Sequence, residues 1–266
     1  MHKMYDYHTH SDFSYDCFTP FDEMIQSAIN KGVKEIAVTD HYDPDYPDPD
    51  YPFTIDFPRY YKKLTEASNL YKDKIKIIKG VEIGIQHGDT IAKCEACAND
   101  FPYDFILGSF HAAEGQDLYS QFFTGRTVEE GVYDFYLYVA DCLKAYKNYD
   151  ILGHINVIDR YGPYIPDYAP YMDIIEKILK GLIYDGKGIE FNTSSYRYGM
   201  GERTKPSKEI LELYKNLGGE IITVGSDAHK VQDIGTKYNT AISILKSHGF
   251  KYISTFENRK CSFVKI

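Results

Sequence analysis

Short β-rich runs alternate with longer amphipathic stretches along nearly the whole chain, and no other feature restricts its fold so strongly. The strand candidates are MYDYHTH, EIAVTDH, IKIIKGVEIG, DFILGSFH, DILGHI, KGIEFNTS and EIITVGSDAH. Helix candidates between them carry recognisable punctuation. Thr19 stands as cap of the first, with Pro20 at its first helical position and Gly32 just past its end. Thr127 and Glu130 have the spacing of a capping box, and another helix opens near Pro206 and stops at Gly218-Gly219. Strands that alternate with helices pair in parallel, in an open sheet or a closed barrel. No Gly/Ser-rich linker divides the 266 residues, so residues 1–266 read as a single α/β domain.

One segment breaks the rhythm. Residues 42–61, YDPDYPDPDYPFTIDFPRYY, hold five prolines among Asp and Tyr, which disfavours a regular helix or central strand. The segment reads as a Pro/Tyr-rich insertion, either a stiff surface loop or a lid over a site.

Composition narrows the partners. A formal charge of −9 argues against a phosphate-tracking nucleic-acid surface. It leaves room for a small phosphate ester met by local cations. No apolar run approaches the roughly 20 residues of a membrane span, and the first residues lack a signal-peptide core. Five scattered cysteines make a poor disulfide framework, so a reducing cytoplasm is expected. Cys94 and Cys97 share one helical face and are expected to pack inward. The sequence leaves the oligomeric state open.

The strand ends carry the chemistry. The first candidate closes on His8 and His10, which share one face of an extended strand. The others close on Asp40-His41, Glu82, His111, His154, Glu190 with Asn192, and Asp227 with His229. A lone strand-end histidine is more often a hydrogen-bonded structural residue than a ligand. Here six of the nine histidines fall at such ends, which unrelated scatter over helix faces would not give. Parallel α/β folds gather their active-site residues at strand C-termini, so these groups are expected to meet. His8, His10, His41, His111, His154 and His229 with Asp16, Glu82 and Asp227 are nine donors, enough for about three ions. Imidazole and carboxylate without thiolate suit Zn, Fe or Mn and argue against a closed structural zinc site. His2, His87 and His248 are assigned no role.

The stretches HTHSDFSYD, VTDH, GVEIG, GSFH, LGHI and GSDAH together resemble the PHP (polymerase and histidinol phosphatase) superfamily, from residue 5 to about 230. The resemblance implies a distorted (β/α)7 barrel with a trinuclear metal site. By position, His8, His10, Glu82 and Asp227 would hold one ion. Glu82 would bridge to a second, held also by His111 and His154. Asp16, His41 and His229 would hold a third. Asp16, together with GHINVIDRYG around Arg160 and EFNTSSYRYG around Arg197, is similar to the histidinol-phosphatase branch. That branch implies hydrolysis of L-histidinol phosphate to L-histidinol and phosphate in histidine biosynthesis.

A phosphomonoester dianion repels an incoming nucleophile, so its charge must be neutralised and the reacting groups held in line. Ions do the first and acidify a bridging water. Arg160 and Arg197 are expected to clamp the remaining oxygens bidentately. Asp227 and His229 are the candidates for proton handling. Ser195 and Asn192 are weaker candidates for substrate contacts. Glu114 is expected to meet the substrate amine, with Tyr161 or Tyr42 as an aromatic wall. Two rival readings keep the metals: hydrolysis of a phosphodiester, a phosphotyrosine protein or another small monoester, and a non-catalytic barrel.

Overall fold

The computed structural model describes residues 3–162, 165, 167–200, 203 and 205–266; His2 lies outside them. Seven parallel strands follow one another around the molecule in chain order: β1 (Met4–Thr9), β2 (Val33–Val38), β3 (Lys76–Gly84), β4 (Phe105–Ser109), β5 (Ile151–Leu152), β6 (Gly188–Asn192) and β7 (Ile222–Gly225). A two-residue strand, His41–Tyr42, also pairs with the end of β3. The ring closes where Thr9 bridges Ala228: the His10 amide donates to the Ala228 carbonyl at 2.9 Å, and the Asp227 amide to that of His8 at 2.7 Å. The result is the distorted (β/α)7 barrel expected from the alternation, all parallel as crossover connections require.

Among the described residues, seven helices of nine or more residues cover it: α1 (Phe21–Asn30), α2 (Phe57–Leu70), α3 (Thr90–Asp100), α4 (Val128–Ala145), α5 (Met172–Tyr184), α6 (Lys208–Asn216) and α7 (Tyr238–Ser247). Each buries one apolar stripe; in α5 this is Ile174, Ile175, Ile178, Leu179 and Leu182. The core beneath is contiguous, with strand residues Ile36, Ile78, Ile106, Ile151, Ile189 and Ile222 fully buried. A C-terminal hairpin, β8 (Tyr252–Glu257) and β9 (Lys260–Lys265), lies against the N-terminal ends of β4 and β5.

Helix boundaries correct two expectations. The first helix starts at Phe21, and Thr19 does not cap it. The Thr19 hydroxyl donates instead to the His229 carbonyl at 2.8 Å, while the Phe21 amide finds Asp12 Oδ1 at 2.9 Å. The Pro/Tyr segment is also shorter than its composition suggests. Asp56 caps α2, and Pro58 sits in that helix's first turn, where its missing N–H costs no intrahelical bond. The capping box at Thr127 and Glu130 and the left-handed Gly32 (φ 73°) stand as read. Cys94 and Cys97 are buried on the inner face of α3, and all five cysteines are free.

Candidate metal centre

All nine predicted donors meet at the C-terminal mouth of the barrel. Strand periodicity brings His8 and His10 inward together, both fully buried with ring centroids 5.0 Å apart. Glu82, from β3, is the centre of the cluster. Its Oε2 lies 3.1 Å from His8 Nε2, 3.6 Å from His10 Nε2 and 3.0 Å from His41 Nδ1. Its Oε1 lies 3.4 Å from His111 Nε2 and 3.1 Å from His154 Nε2. Asp227 Oδ1 is 3.4 Å from His10 Nε2 and 3.8 Å from His8 Nε2. Asp16 Oδ2 spans His41 Nε2 at 3.7 Å and His229 Nε2 at 3.3 Å.

Loops after the strands aim these groups. Asp227 (φ 56°) and His154 (φ 21°) both adopt left-handed backbone, conformations that non-glycine residues hold only when the surroundings enforce them. Two further buried acids brace the loops of the mouth. Asp6 accepts from the Ser226 amide at 2.8 Å, the Ser226 hydroxyl at 2.6 Å and the Gly235 amide at 2.8 Å, anchoring the turn that carries Asp227. Asp40 accepts from the Ser11 amide (2.6 Å) and the hydroxyls of Ser11 and Ser14 (both 2.7 Å), anchoring the turn after His10. Burial pushes the Asp40 carboxyl up to about 6, since its partners bear no charge.

The electrostatics separate the acids. Burial alone would raise Glu82, yet the imidazoles of His8, His41 and His111 hold it well below the usual carboxylate range. Asp227 is likewise held low, against burial, by His8, His10 and Arg160. Burial pushes His10 and His41 down to about 4, so both rings are neutral near pH 7 and offer a lone pair. His10 Nε2, His41 Nδ1 and Asp43 Oδ2 are buried without any hydrogen-bond partner. Unpaired buried nitrogen and oxygen atoms beside anionic carboxylates are what divalent cations complete, and the imidazole–carboxylate donor set fits Zn, Fe or Mn.

Above this floor lies a cavity whose empty volume is about 820 Å³, walled by Tyr46, Phe53, Tyr119, Tyr161, Tyr198 and Arg160. Tyr46 and Phe53 come from the Pro/Tyr segment, which therefore forms a wall of the site. Arg160 donates to Ser194 Oγ at 2.7 Å and Asp227 Oδ2 at 3.0 Å, while its Nε has no partner. Arg197 is differently placed from the expected clamp. Its guanidinium holds the Ser226 and Asp227 carbonyls at 2.6 and 2.7 Å and lies 3.5 Å from Asp233, so it anchors the loop of Asp227.

Other expectations need correction. Glu114 sits in the Ala112–Asp117 hairpin and is spent on Arg126 at 2.6 Å. Ser195 is buried with an unpartnered hydroxyl; its neighbour Ser194 meets Arg160 instead. Tyr42 packs edge-on against Phe57 rather than lining the cavity, whereas Tyr161 does line it. Asn192 is buried beneath the site, bonded to Glu190. His87 stacks edge-on with Tyr138, and His248 turns back on the Ile244 carbonyl; neither joins the cluster. Sequence reasoning missed Asp43, whose Oδ1 lies 2.6 Å from His111 Nδ1. The spacing DHYD held a signal, because on a strand Asp43 shares the face of His41.

Comparison with known proteins settles the lineage. The family model described as PHP domain matches residues 6–194. The chain belongs to the PHP domain family. It is 32% identical to a histidinol-phosphatase of Lactococcus lactis subsp. lactis, over 97% of this chain and 96% of that protein. A probable histidinol-phosphatase of Thermotoga maritima is 28% identical over 99% of this chain and 100% of its own. The crystal structure of the Lactococcus lactis histidinol phosphate phosphatase, complexed with zinc, L-histidinol and phosphate, superposes with a TM-score of 0.87. That alignment has 30% identity and covers 98% of this chain and 99% of the other. This PHP chain thus shares its fold with the Lactococcus lactis protein and aligns along nearly the whole length of both relatives. Among its described residues, no helix is long and apolar enough to cross a membrane.

Proposed function

We propose that this protein is a metal-dependent phosphomonoesterase that converts L-histidinol phosphate to L-histidinol and phosphate. The observation that carries the reading is the meeting of nine donors, from the ends of six strands and the loops after them, under one cavity with a half-buried arginine in its wall. The relative crystallised with zinc, L-histidinol and phosphate supports the choice of substrate.

In this reading His8, His10, Glu82 and Asp227 would hold one ion, Glu82, His111 and His154 a second, and Asp16, His41 and His229 a third. Bound there, the ions would supply Lewis-acid neutralisation of the phosphate and lower the pKa of a water beside it. The chain's own groups do the rest. Arg160 binds a phosphate oxygen through its guanidinium, with Asp227 and Ser194 fixing the plane of the fork. Arg197 acts on the same step indirectly, by holding the Asp227 turn rigid. Both oxygens of Asp227 are engaged, Oδ2 by Arg160 and Oδ1 toward His8 and His10. His229 is engaged at both nitrogens as well, Nδ1 3.0 Å from the Asp227 carbonyl and Nε2 3.3 Å from Asp16, so as ligands neither side chain keeps a proton to give and the leaving oxygen would be met by an ion or a water beside it. Tyr46, Phe53, Tyr119, Tyr161 and Tyr198 line the cavity with aromatic rings, which suit an imidazole and an ammonium group, since both stack favourably on aromatics.

The test offers purified, zinc-, iron- or manganese-loaded protein L-histidinol phosphate beside a dinucleotide and phosphotyrosine, and measures phosphate or alcohol release. Turnover of L-histidinol phosphate at a kcat/KM at least about a hundredfold above the others is expected. Preference for either rival substrate would overturn the assignment.

A further inference from the structure

Glu190 is the middle residue of β6, its carboxylate fully buried beneath the cavity floor, yet it belongs to none of the three donor sets. One oxygen, Oε1, lies 2.8 Å from Nδ1 of His8. The other, Oε2, accepts from the main-chain N–H of His154 at 2.9 Å and from Asn192 Nδ2 at 3.1 Å. Asn192 Oδ1 in turn accepts from the Ser194 amide at 2.9 Å, and the Ser194 hydroxyl accepts from Arg160 at 2.7 Å. One carboxylate thus touches the ring of one donor histidine, the left-handed backbone of another and, through two residues, the arginine of the cavity wall. Residue 225 is glycine for the same reason: a Cβ there would collide with Glu190 Oε1 and with Cβ of His8.

A histidine binds a metal through a nitrogen that carries no proton, and the hydrogen bond at its other nitrogen decides which one that is. An ionised carboxylate only accepts, so Nδ1 of His8 must donate to Glu190. His8 Nε2 is then bare and directed at the space shared with Glu82 and Asp227. We propose that Glu190 is a positioning residue that locks His8 in its metal-binding tautomer and couples that ring, through Asn192 and Ser194, to Arg160. The proposal rests on the reading of His8 as a metal ligand.

The two donors fixed at Oε2 make the test sharp. In Glu190→Gln the amide oxygen must take the Oε2 position to satisfy His154 N–H and Asn192. The new NH2 group then faces His8 Nδ1 and forces the proton onto Nε2. Zinc content after dialysis and zinc affinity by chelator competition are compared for the full-length wild type, Glu190→Gln and Asp150→Asn, a buried acid remote from the cavity. The expected result is a roughly 10–100-fold loss of affinity and about one ion fewer per chain in Glu190→Gln alone. Its metal-free melting temperature and circular dichroism should stay near wild type, and kcat should fall more than KM rises. The double variant Glu190→Gln/Asn192→Asp lets the acid at 192 take the amide donor and returns the carbonyl to His8; the His154 N–H then faces the NH2 group without its acceptor, so affinity should recover only in part. This arm also serves should the single variant not fold. Wild-type zinc affinity in Glu190→Gln, or no recovery in the double variant, overturns the proposal. A wild type that takes up no zinc removes instead the ligand reading beneath it.

Discussion

The two ends of the barrel bury the same kind of residue for opposite ends. At the base, Asp150 Oδ2 accepts from the Ile106 amide at 2.8 Å and from Arg259 Nε at 2.5 Å. Asp104 accepts from the amides of Lys79 and Asn258, both at 3.1 Å. The turn of the β8–β9 hairpin, with Asn258 and Arg259 both left-handed (φ 50° and 63°), delivers those donors. Each of these acids is matched by the chain's own N–H groups or a cation. At the mouth, Glu82 and Asp227 face imidazoles in an orientation that leaves His10 Nε2 and His41 Nδ1 without a hydrogen bond. A buried polar atom left unpaired costs about 1–3 kcal/mol, so the mouth is held together at some cost to stability and the base is not. Satisfied acids hold a fold, whereas the acids of the mouth are arranged for something that binds.

That contrast can be broken by substitution, and the expected effects fall in order. His8→Ala or Asp227→Ala should lower kcat/KM by about a thousandfold or more, with circular dichroism unchanged, because each removes a donor shared within the cluster. Retained turnover in both would place the chemistry elsewhere. Asp150→Ala at the base should do the reverse. It strands the Ile106 amide and Arg259 and should lower unfolding free energy by about 3 kcal/mol, read by urea titration, with kcat unaltered. A stable but inactive Asp150 variant would erase the distinction between the two ends. Arg160→Ala should reduce kcat/KM by about a hundredfold, in the range of losing a charged clamp on the transferred group. Steady-state kinetics with unchanged values would dismiss it.

Asp40 sharpens the comparison, since it lies at the mouth yet is matched like an acid of the base. Its folded carboxyl titrates at about 6 against an ordinary value of 3.8, so the native state binds this proton more tightly than the unfolded chain does. Its contribution to stability is therefore present below pH 4 and is lost as pH rises through 6, by about 2–3 kcal/mol in all. Subtracting the Asp40→Asn profile from that of the wild type should isolate this fall, and parallel profiles would contradict it. The smallest effect is expected far from both ends. Thr127→Ala breaks the capping box with Glu130 and should cost about 1 kcal/mol without touching catalysis.

Much of this was legible in the sequence, and the boundary of legibility has a physical cause. Strand-end position is a local property, so the six histidines, Glu82 and Asp227 could be picked out by pattern before any fold was known, while Asp16, in the turns beyond β1, came with the HTHSDFSYD motif. Which partner occupies a long side chain is a tertiary property. Arg160 and Arg197 look alike in sequence, yet one opens onto the cavity and the other grips two carbonyls of a neighbouring loop. Glu114 reads as a free acid near a ligand until Arg126, twelve residues on, is found beside it. Thr19 has the profile of a cap, but the His229 carbonyl competes for its hydroxyl and wins. Glu190 was visible as a strand-end acid, while its role as an acceptor for His8, His154 and Asn192 depends on three elements meeting.

The central claim is that nine groups distant in sequence cage cations at the mouth of the barrel. It is tested most directly by anomalous diffraction from crystals of the purified protein soaked with phosphate. The account predicts three metal peaks among His8, His10, Asp16, His41, Glu82, His111, His154, Asp227 and His229, with phosphate between them and Arg160. Metal bound only at other positions, or phosphate seated away from this cluster, would contradict it.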